Sequence, residues 1–182
     1  TPMNSILGMA ELLKRTVLNE KQRQQVNTII HSGRALLDIM CRNVEHIARV
    51  FGRGPGQKRG YDGHEEIELA LVKLYRATGD KRHLDLARYF IDERGVEPNY
   101  FRLENENARE KGWEKWARTD FRYNQAHKPV REQEEVVGHA VRAMYLYCGM
   151  ADVAMDAGDA TLLPPLRKLW RSVAHRKMYV TG

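Results

Sequence analysis

Helical periodicity is the feature that most constrains the fold of this 182-residue chain. Apolar side chains recur every three or four residues through most of it, as Ile6, Met9 and Leu13 do near the start, whereas strand-like alternation is weak. Because a period of about 3.6 residues places such side chains on one helix face, the pattern predicts an all-α protein.

Two stretches share one plan, which predicts tandem αα-hairpins. "LYRATGDKRHLDLARYF" and "DVAMDAGDATLLPPLRKLW" each end one helix in small residues, turn at Gly-Asp and enter the next helix. Gly79 and Gly158 suit left-handed helix ends, and the Asp after each can cap the following helix. A looser third copy turns at Gly33. Such hairpins bury their faces against neighbouring hairpins, so we expect an open solenoid or a closed α/α barrel.

The first 50 residues predict a helical hairpin. One helix follows Pro2, and a second follows the turn "LNEKQ", with Asn19 as its N-cap. The second helix carries apolar or small residues at alternating steps of four and three, which is typical of a coiled-coil seam. These residues are Val26, Ile30, Gly33, Leu37, Met40, Val44 and Ile47.

Further along, the pattern predicts a helix over "HEEIELALVKLYRATG", with Asp62 as its N-cap, and another that contains "VVGHAVRAMYLY". His139 falls in the interior of the second, and the glycine before it predicts a close approach of other atoms to the backbone. Residues 96–130 are charged and aromatic without a helical period, so we expect a long loop there.

Composition excludes several classes of protein. The net charge is +6, but Lys and Arg alternate with Asp and Glu, which indicates a mixed-charge surface and no nucleic-acid partner. No apolar run is long enough for a membrane segment and no signal peptide is visible, so we expect a cytoplasmic location. Cys41 and Cys148 each stand alone, as small buried side chains do, without the spacing of zinc ligands.

Residues 1–38 resemble the dimerisation and phosphotransfer hairpin of sensor histidine kinases. The resemblance is carried by "TPMNSILGMAELL" and "LNEKQRQQVNTIIHSGRALLDI". It implies self-association through residues 3–47 into a four-helix bundle. The family's phospho-accepting histidine precedes the Thr-Pro pair, so we expect this hairpin to lack it; His31 is not followed by the family's Glu-x-x-Thr-Pro.

Residues 41–182 resemble the β-L-arabinofuranosidase-like glycoside hydrolases, an α/α-barrel family. The matching runs are "HIARVFGRGPGQKRGYDGHEEIELALVKLYRATGD", "QAHKPVREQEEVVGHAVRAMYLYCGMADVA" and "RKMYVTG". The resemblance implies an arabinose-containing glycan as partner. The family's zinc-held cysteine nucleophile and acid/base glutamate lie beyond the last run, and Cys148 lies before that cysteine. We therefore expect no cofactor and no catalytic residue within these residues.

The stretch "SGRALLDIM" fits both families, so the two resemblances meet there. We predict a kinase-like hairpin over residues 1–40 and a partial α/α-barrel hydrolase domain over residues 41–182, joined as a chimera. The hairpin stands where the first barrel helices belong. An incomplete barrel leaves the inner face of "VVGHAVRAMYLY" partly unburied, which predicts marginal stability or self-association.

Three histidines are the candidate substrate-binding residues. His64 opens a predicted helix in "GHEEIELAL", and on its chemistry alone it could equally be a surface histidine at a helix start. His139 could be a core histidine, and His127 lies in a loop. The hydrolase resemblance favours a sugar contact for all three. Aromatic residues of the loop either stack on a sugar or fix the loop to the surface; they are Trp113, Trp116, Phe121 and Tyr123.

Three functions follow from these patterns. The first is part of a glycoside hydrolase acting on β-L-arabinofuranosides, inactive alone because its nucleophile, metal and acid are absent. The second is a helical dimerisation module of a two-component sensor kinase. The third is a non-catalytic αα-repeat interaction domain, which only the repeat pattern supports.

Overall fold

The computed structural model of the protein describes residues 2–113 and 120–179. Within these ranges the regular structure is helical and no strand forms, which confirms the all-α prediction. The helices are α1 (Pro2–Lys14), α2 (Glu20–Val50), α3 (Ile67–Thr78), α4 (Lys81–Glu93), α5 (Tyr100–Glu110), α6 (Ala140–Asp156) and α7 (Leu163–Ser172). None of the described helices has the length and apolar character that crossing a membrane requires.

The two predicted αα-hairpins are α3–α4 and α6–α7. Gly79 ends α3 in the left-handed conformation with φ 74°, and the Asp80 carboxylate accepts the Arg82 N–H at 3.0 Å. Gly158 has φ 67°, and the Asp159 carboxylate accepts the Thr161 N–H at 3.1 Å. Both Gly-Asp turns therefore work as the sequence predicted.

The third predicted turn, at Gly33, is wrong. Gly33 lies in the middle of α2, which runs unbroken for 31 residues. A Cβ added to Gly33 would lie 2.7 Å from Cδ2 of Leu7 in α1. The glycine therefore lets two helices approach closely, and does not end one.

Two separate cores hold the helices together. A small one joins α1 to α2 through Ala10, Val26 and Ile30. The large one lies among α3, α4, α6 and α7, and the end of α2 packs against it through Val44 and Ile47. Its most enclosed apolar side chains are Leu71, Phe90, Ile91, Leu146, Met150, Leu162 and Leu169. The predicted seam of α2 is thus divided between two partners.

One helix was missed. Helix α5 occupies part of residues 96–130, which the sequence predicted to be a loop. The side chain of Asn99 accepts the Phe101 N–H at 3.1 Å and caps this helix. Phe101 is its one buried residue, so α5 lacks the apolar stripe that a periodicity analysis detects. Trp116 lies outside the described residues.

The exposed face of α6 agrees with the expected unburied inner face. Val141, Met144 and Met155 are 51%, 37% and 68% exposed. Cys148 is exposed on this helix and Cys41 is half-buried on α2, so the prediction that both cysteines are buried is wrong. Nothing among the described residues covers that side of α6.

Candidate functional site

Helices α3 and α6 lie side by side and run parallel. Near their ends, Arg76 of α3 binds the carboxylates of Asp152 and Asp156 in α6 at 3.0 and 2.6 Å. Earlier in both helices, a Cβ on Gly149 would lie 2.9 Å from Cβ of Glu68. Residue numbers therefore rise together along the pair. The segments that lead into the two helices, which carry His64 and His139, consequently lie at the same end.

His139 is exposed at the N-cap position of α6, and not in a helix interior as the sequence predicted. Its N–H donates to the Tyr123 carbonyl at 3.2 Å, and its ring centroid lies 5.5 Å from that of Tyr123. The preceding Gly138 has φ 78°, and a Cβ there would collide with the carbonyl oxygen of Arg122. The predicted close approach is correct, but it delays the start of the helix until Ala140.

His64 lies three residues before α3, with 47% of its side chain exposed. Its Nδ1 is 3.9 Å from a carboxylate oxygen of Glu66, and its ring centroid is 6.2 Å from that of Tyr145 in α6. Asp62 is not the N-cap of α3, which is a correction: Glu66 holds that position, and the Asp62 carboxylate pairs with Arg94 instead.

The carbonyl of Gly63 connects the two histidine segments. Nη1 of Arg142, one turn into α6, donates a hydrogen bond to this oxygen. Nδ2 of Asn124 donates to the same oxygen at 2.7 Å. The Arg142 guanidinium also lies 5.1 Å from the ring centroid of Tyr123, whose carbonyl holds His139. These contacts place His64 and His139 on one connected surface.

Beneath this surface, a fully buried Arg94 holds the segment that leads into α3. It reaches carboxylate oxygens of Asp62 at 2.8 Å, Glu65 at 3.0 Å and Glu68 at 3.4 Å. Burial, with the charge of Asp62 as the next cause, raises the pKa of Glu68 to about 7, although Arg94 opposes this. Burial also raises the pKa of Glu65. The ion pairs of these carboxylates with Arg94 hold the segment that carries His64 against the interior of the protein.

His127 does not join the other two histidines directly. No hydrogen bond or ring contact of the described residues links it to His64 or His139. It is half-buried, and its Nδ1 is buried without a partner. Burial lowers its pKa, and the charges of Arg122 and Lys128 lower it further. The ring is therefore neutral near pH 7.

Two open clefts flank the site. One of about 370 Å³ reaches from Gly63 to Trp113 and is lined also by Tyr100, Phe101 and Glu104. Another of about 520 Å³ passes Gly138 and Ala140, on either side of His139, and includes Tyr123. Of the loop aromatics, Trp113 and Tyr123 therefore line clefts, whereas Phe121 packs partly against the large core.

Sequence reasoning missed Arg142, Tyr145, Asn124 and Arg94. A signal existed for the first two, because Arg142 follows His139 by three residues and Tyr145 follows Arg142 by three, and residues three apart are neighbours on a helix surface. Asn124 and Arg94 act across 26 residues or more, and spacing along the chain gives no indication of such contacts. His83 of α4 is also buried, and it contacts Thr78 through Nδ1 at 3.2 Å.

The described residues do not fit a zinc site. No group of three or more His, Cys, Asp or Glu side chains within residues 2–113 and 120–179 is arranged to hold a metal ion. The two cysteines lie on different helices and neither has metal-ligand partners.

Comparison with known proteins gives one family for most of the chain. The sequence model of the β-L-arabinofuranosidase GH127 catalytic domain matches residues 30–182. A non-reducing end β-L-arabinofuranosidase of Bifidobacterium longum is 42% identical over 152 residues, which are 80% of this chain and 22% of that protein. The crystal structure of Ara127N-Se, a GH127 β-L-arabinofuranosidase from Geobacillus stearothermophilus T6, superposes with a TM-score of 0.77 at 49% identity. The superposition covers 86% of this chain and 25% of that one.

A second family matches the start of the chain. The sequence model of the His Kinase A (phospho-acceptor) domain matches residues 1–43. The autoinducer 2 sensor kinase/phosphatase LuxQ of Vibrio cholerae is 33% identical over 86 residues, 47% of this chain and 10% of that protein. Both resemblances drawn from the sequence are confirmed. The two matches overlap from residue 30 to residue 43, so the boundary at residue 40 stays a prediction.

Proposed function

This chain belongs to the family of the β-L-arabinofuranosidase GH127 catalytic domain, and from that premise we propose that it forms one wall of a pocket for an arabinofuranose unit of a glycan. The observation that carries the proposal is the placement of His64 and His139 at the same end of two parallel helices, connected through Arg142 and the Gly63 carbonyl. The chain spans about a fifth to a quarter of its relatives. It therefore corresponds to part of a glycoside hydrolase.

The chemistry of this surface suits a sugar. The ring nitrogens of His64 and His139 can donate to or accept from sugar hydroxyls. Tyr123 and Tyr145 lie beside them with aromatic faces against which a furanose can pack. His127 is proposed as a third contact from the neighbouring loop. Zinc is proposed as the cofactor of the whole hydrolase, with ligands outside the residues described.

Titration of isotope-labelled protein with methyl β-L-arabinofuranoside, followed by NMR, tests the sugar site. We expect shifts confined to the segments around His64, His127 and His139. His64→Ala and His139→Ala should each weaken binding about tenfold, as expected for one lost hydrogen bond in a binding site.

His175→Ala is the matched control, because His175 is an exposed histidine in the turn after α7. It should bind as the unmodified chain does. Absence of any shift at millimolar sugar, or equal losses in all the variants, would contradict the proposed site.

We propose in addition that the α1–α2 hairpin binds a second copy of this chain. Ile29, Leu36 and Met40 recur at steps of seven and four along α2 and are 45%, 52% and 44% exposed. Ile6 and Met9 of α1 are 53% and 60% exposed. Apolar side chains repeated at this spacing are typical of helices that pack in a bundle. The match to the phospho-acceptor domain of histidine kinases covers residues 1–43, which include α1 and most of α2.

Sedimentation velocity over a range of concentrations tests self-association. The chain should form dimers, and Leu36→Glu should shift it to the monomer because a charge in an apolar interface is costly. Asn27→Asp is the control, since Asn27 is exposed and, nine residues before Leu36, lies on the opposite side of α2. A chain that stays monomeric at 100-fold different concentrations would refute the proposal.

A cytoplasmic location also stays a prediction.

A further inference from the structure

Arg142 lies between the two histidine segments and contacts both. Its Nη1 donates to the Gly63 carbonyl, directly before His64, and lies 4.0 Å from a carboxylate oxygen of Glu65. Its guanidinium faces the ring of Tyr123, and the backbone carbonyl of Tyr123 accepts the His139 N–H. The side chain is 18% exposed, so solvent screens these contacts only partly.

We propose that Arg142 is a positioning residue that fixes the His64 ring relative to His139. It acts on the backbone of the segment that carries His64 and does not itself have to contact the ligand. A guanidinium is planar, and its donors have a fixed geometry. Held at once by Gly63, Glu65 and Tyr123, it restrains the rotation of the Gly63 peptide, and therefore the direction of the next side chain. Its effect on sugar binding rests on the proposed function.

The contacts of the Gly63 carbonyl distinguish a role of Arg142 in positioning His64 from a role in stabilising the fold. Its carbonyl also accepts a hydrogen bond from Asn124, which is buried and whose own carbonyl accepts from Arg94. Loss of Arg142 therefore leaves no unpaired carbonyl and should be tolerated by the fold. What is lost is the second restraint on the peptide.

Arg76 provides a matched comparison. It joins the same two helices at their other end, through Asp152 and Asp156, far along the chain from either histidine. If Arg142 only stabilised the helix pair, substitutions at both arginines would have the same consequences. If it positions His64, only the substitution at Arg142 changes the surroundings of that ring.

The test compares Arg142→Lys, Arg142→Gln and Arg76→Lys in the full chain by NMR. In the unmodified protein the rings of His64 and Tyr145, with centroids 6.2 Å apart, should give a nuclear Overhauser effect. Both Arg142 variants should lose it, and should bind methyl β-L-arabinofuranoside about tenfold more weakly. Arg76→Lys should keep the effect and the affinity, with a similar change in thermal stability.

Several results would overturn the proposal: an unchanged His64–Tyr145 effect in both Arg142 variants, the same loss in Arg76→Lys, or unfolding of both Arg142 variants. Failure of the proposed function gives a different result. In that case the unmodified chain does not bind the sugar, yet the ring effect is still lost only in the Arg142 variants, which supports positioning.

Discussion

At the scale of single residues, the interior of this protein depends on Arg94. Its guanidinium is fully buried and faces three carboxylates, those of Asp62, Glu65 and Glu68. One cation cannot neutralise three anions in a medium of low polarity, so one of the carboxyl groups is driven towards its neutral form. Burial is the largest cause at Glu68, followed by the charge of Asp62, and together they raise the pKa of Glu68 to about 7.

Replacement of Arg94 tests this arrangement. Arg94→Met leaves three carboxyl groups, of which Glu65 and Glu68 are fully buried, without their cation, and we expect the free energy of unfolding at pH 8 to fall by about 3–5 kcal/mol. Urea denaturation measures the loss. Arg102→Met is the control, because its pair with Glu97 is exposed, and it should change stability by less than about 1 kcal/mol. Equal effects of the two substitutions would disprove the role assigned to Arg94.

The raised pKa of Glu68 also predicts a dependence of stability on pH. Between the ordinary pKa of 4.5 and about 7, the folded state keeps a proton that the unfolded state releases, so stability falls as pH rises through this window. Glu68→Gln cannot titrate at this position and should show a smaller decline, since burial also raises the pKa of Glu65, which remains. The difference between the two pH–stability curves isolates the contribution of Glu68, and parallel curves from pH 4 to 8 would refute it.

At the scale of elements, the positions of His64 and His139 depend on the residues at which α3 and α6 begin. Helix α6 begins only at Ala140 because Gly138 adopts φ 78° against the carbonyl of Arg122. His139 is therefore the exposed N-cap residue of α6 and not a residue inside the helix. In the same way, Asp62 pairs with Arg94 and leaves α3 to begin at Ile67, so that His64 stays in the segment before it.

Alanine substitution of two glycines with the same φ tests the role of Gly138. Gly56 also has φ 78°, but a Cβ there meets no atom within 4 Å, so Gly56→Ala should cost only the strain of a left-handed alanine, about 1–2 kcal/mol. Gly138→Ala adds a collision with Arg122 and should cost roughly 2 kcal/mol more. Thermal or urea unfolding gives both values. Equal costs would show that the loop can move away.

At the scale of the whole molecule, two helical units meet in one long helix. The first half of α2 packs on α1 in a small core, and its end joins the large core of the hairpins. Apolar side chains remain exposed on α1, α2 and α6. The family matches divide the chain in the same region, within α2.

A polypeptide of these 182 residues should not hydrolyse an aryl β-L-arabinofuranoside. Retaining hydrolysis normally needs two carboxyl groups about 5–5.5 Å apart beside the sugar. The carboxyl groups of Glu65 and Glu68, next to His64 in the chain, are buried and bound to Arg94. Release of the chromogenic leaving group would be followed with and without added zinc, using a full-length relative as positive control. Turnover above the buffer rate would contradict the prediction.

The sequence by itself determined the helical class, both families, the two Gly-Asp turns and the cap at Asn19, because periodicity, caps and motifs are local properties. It also singled out His64 and His139. Only the tertiary structure decided that these histidines share a surface, that His139 lies at the N-cap of α6, that Gly33 is a packing contact and that α5 is a helix. Each of these depends on atoms distant in sequence: Arg142 reaching Gly63, Arg122 crowding Gly138, Leu7 packing on Gly33, and Phe101 binding α5 to the core.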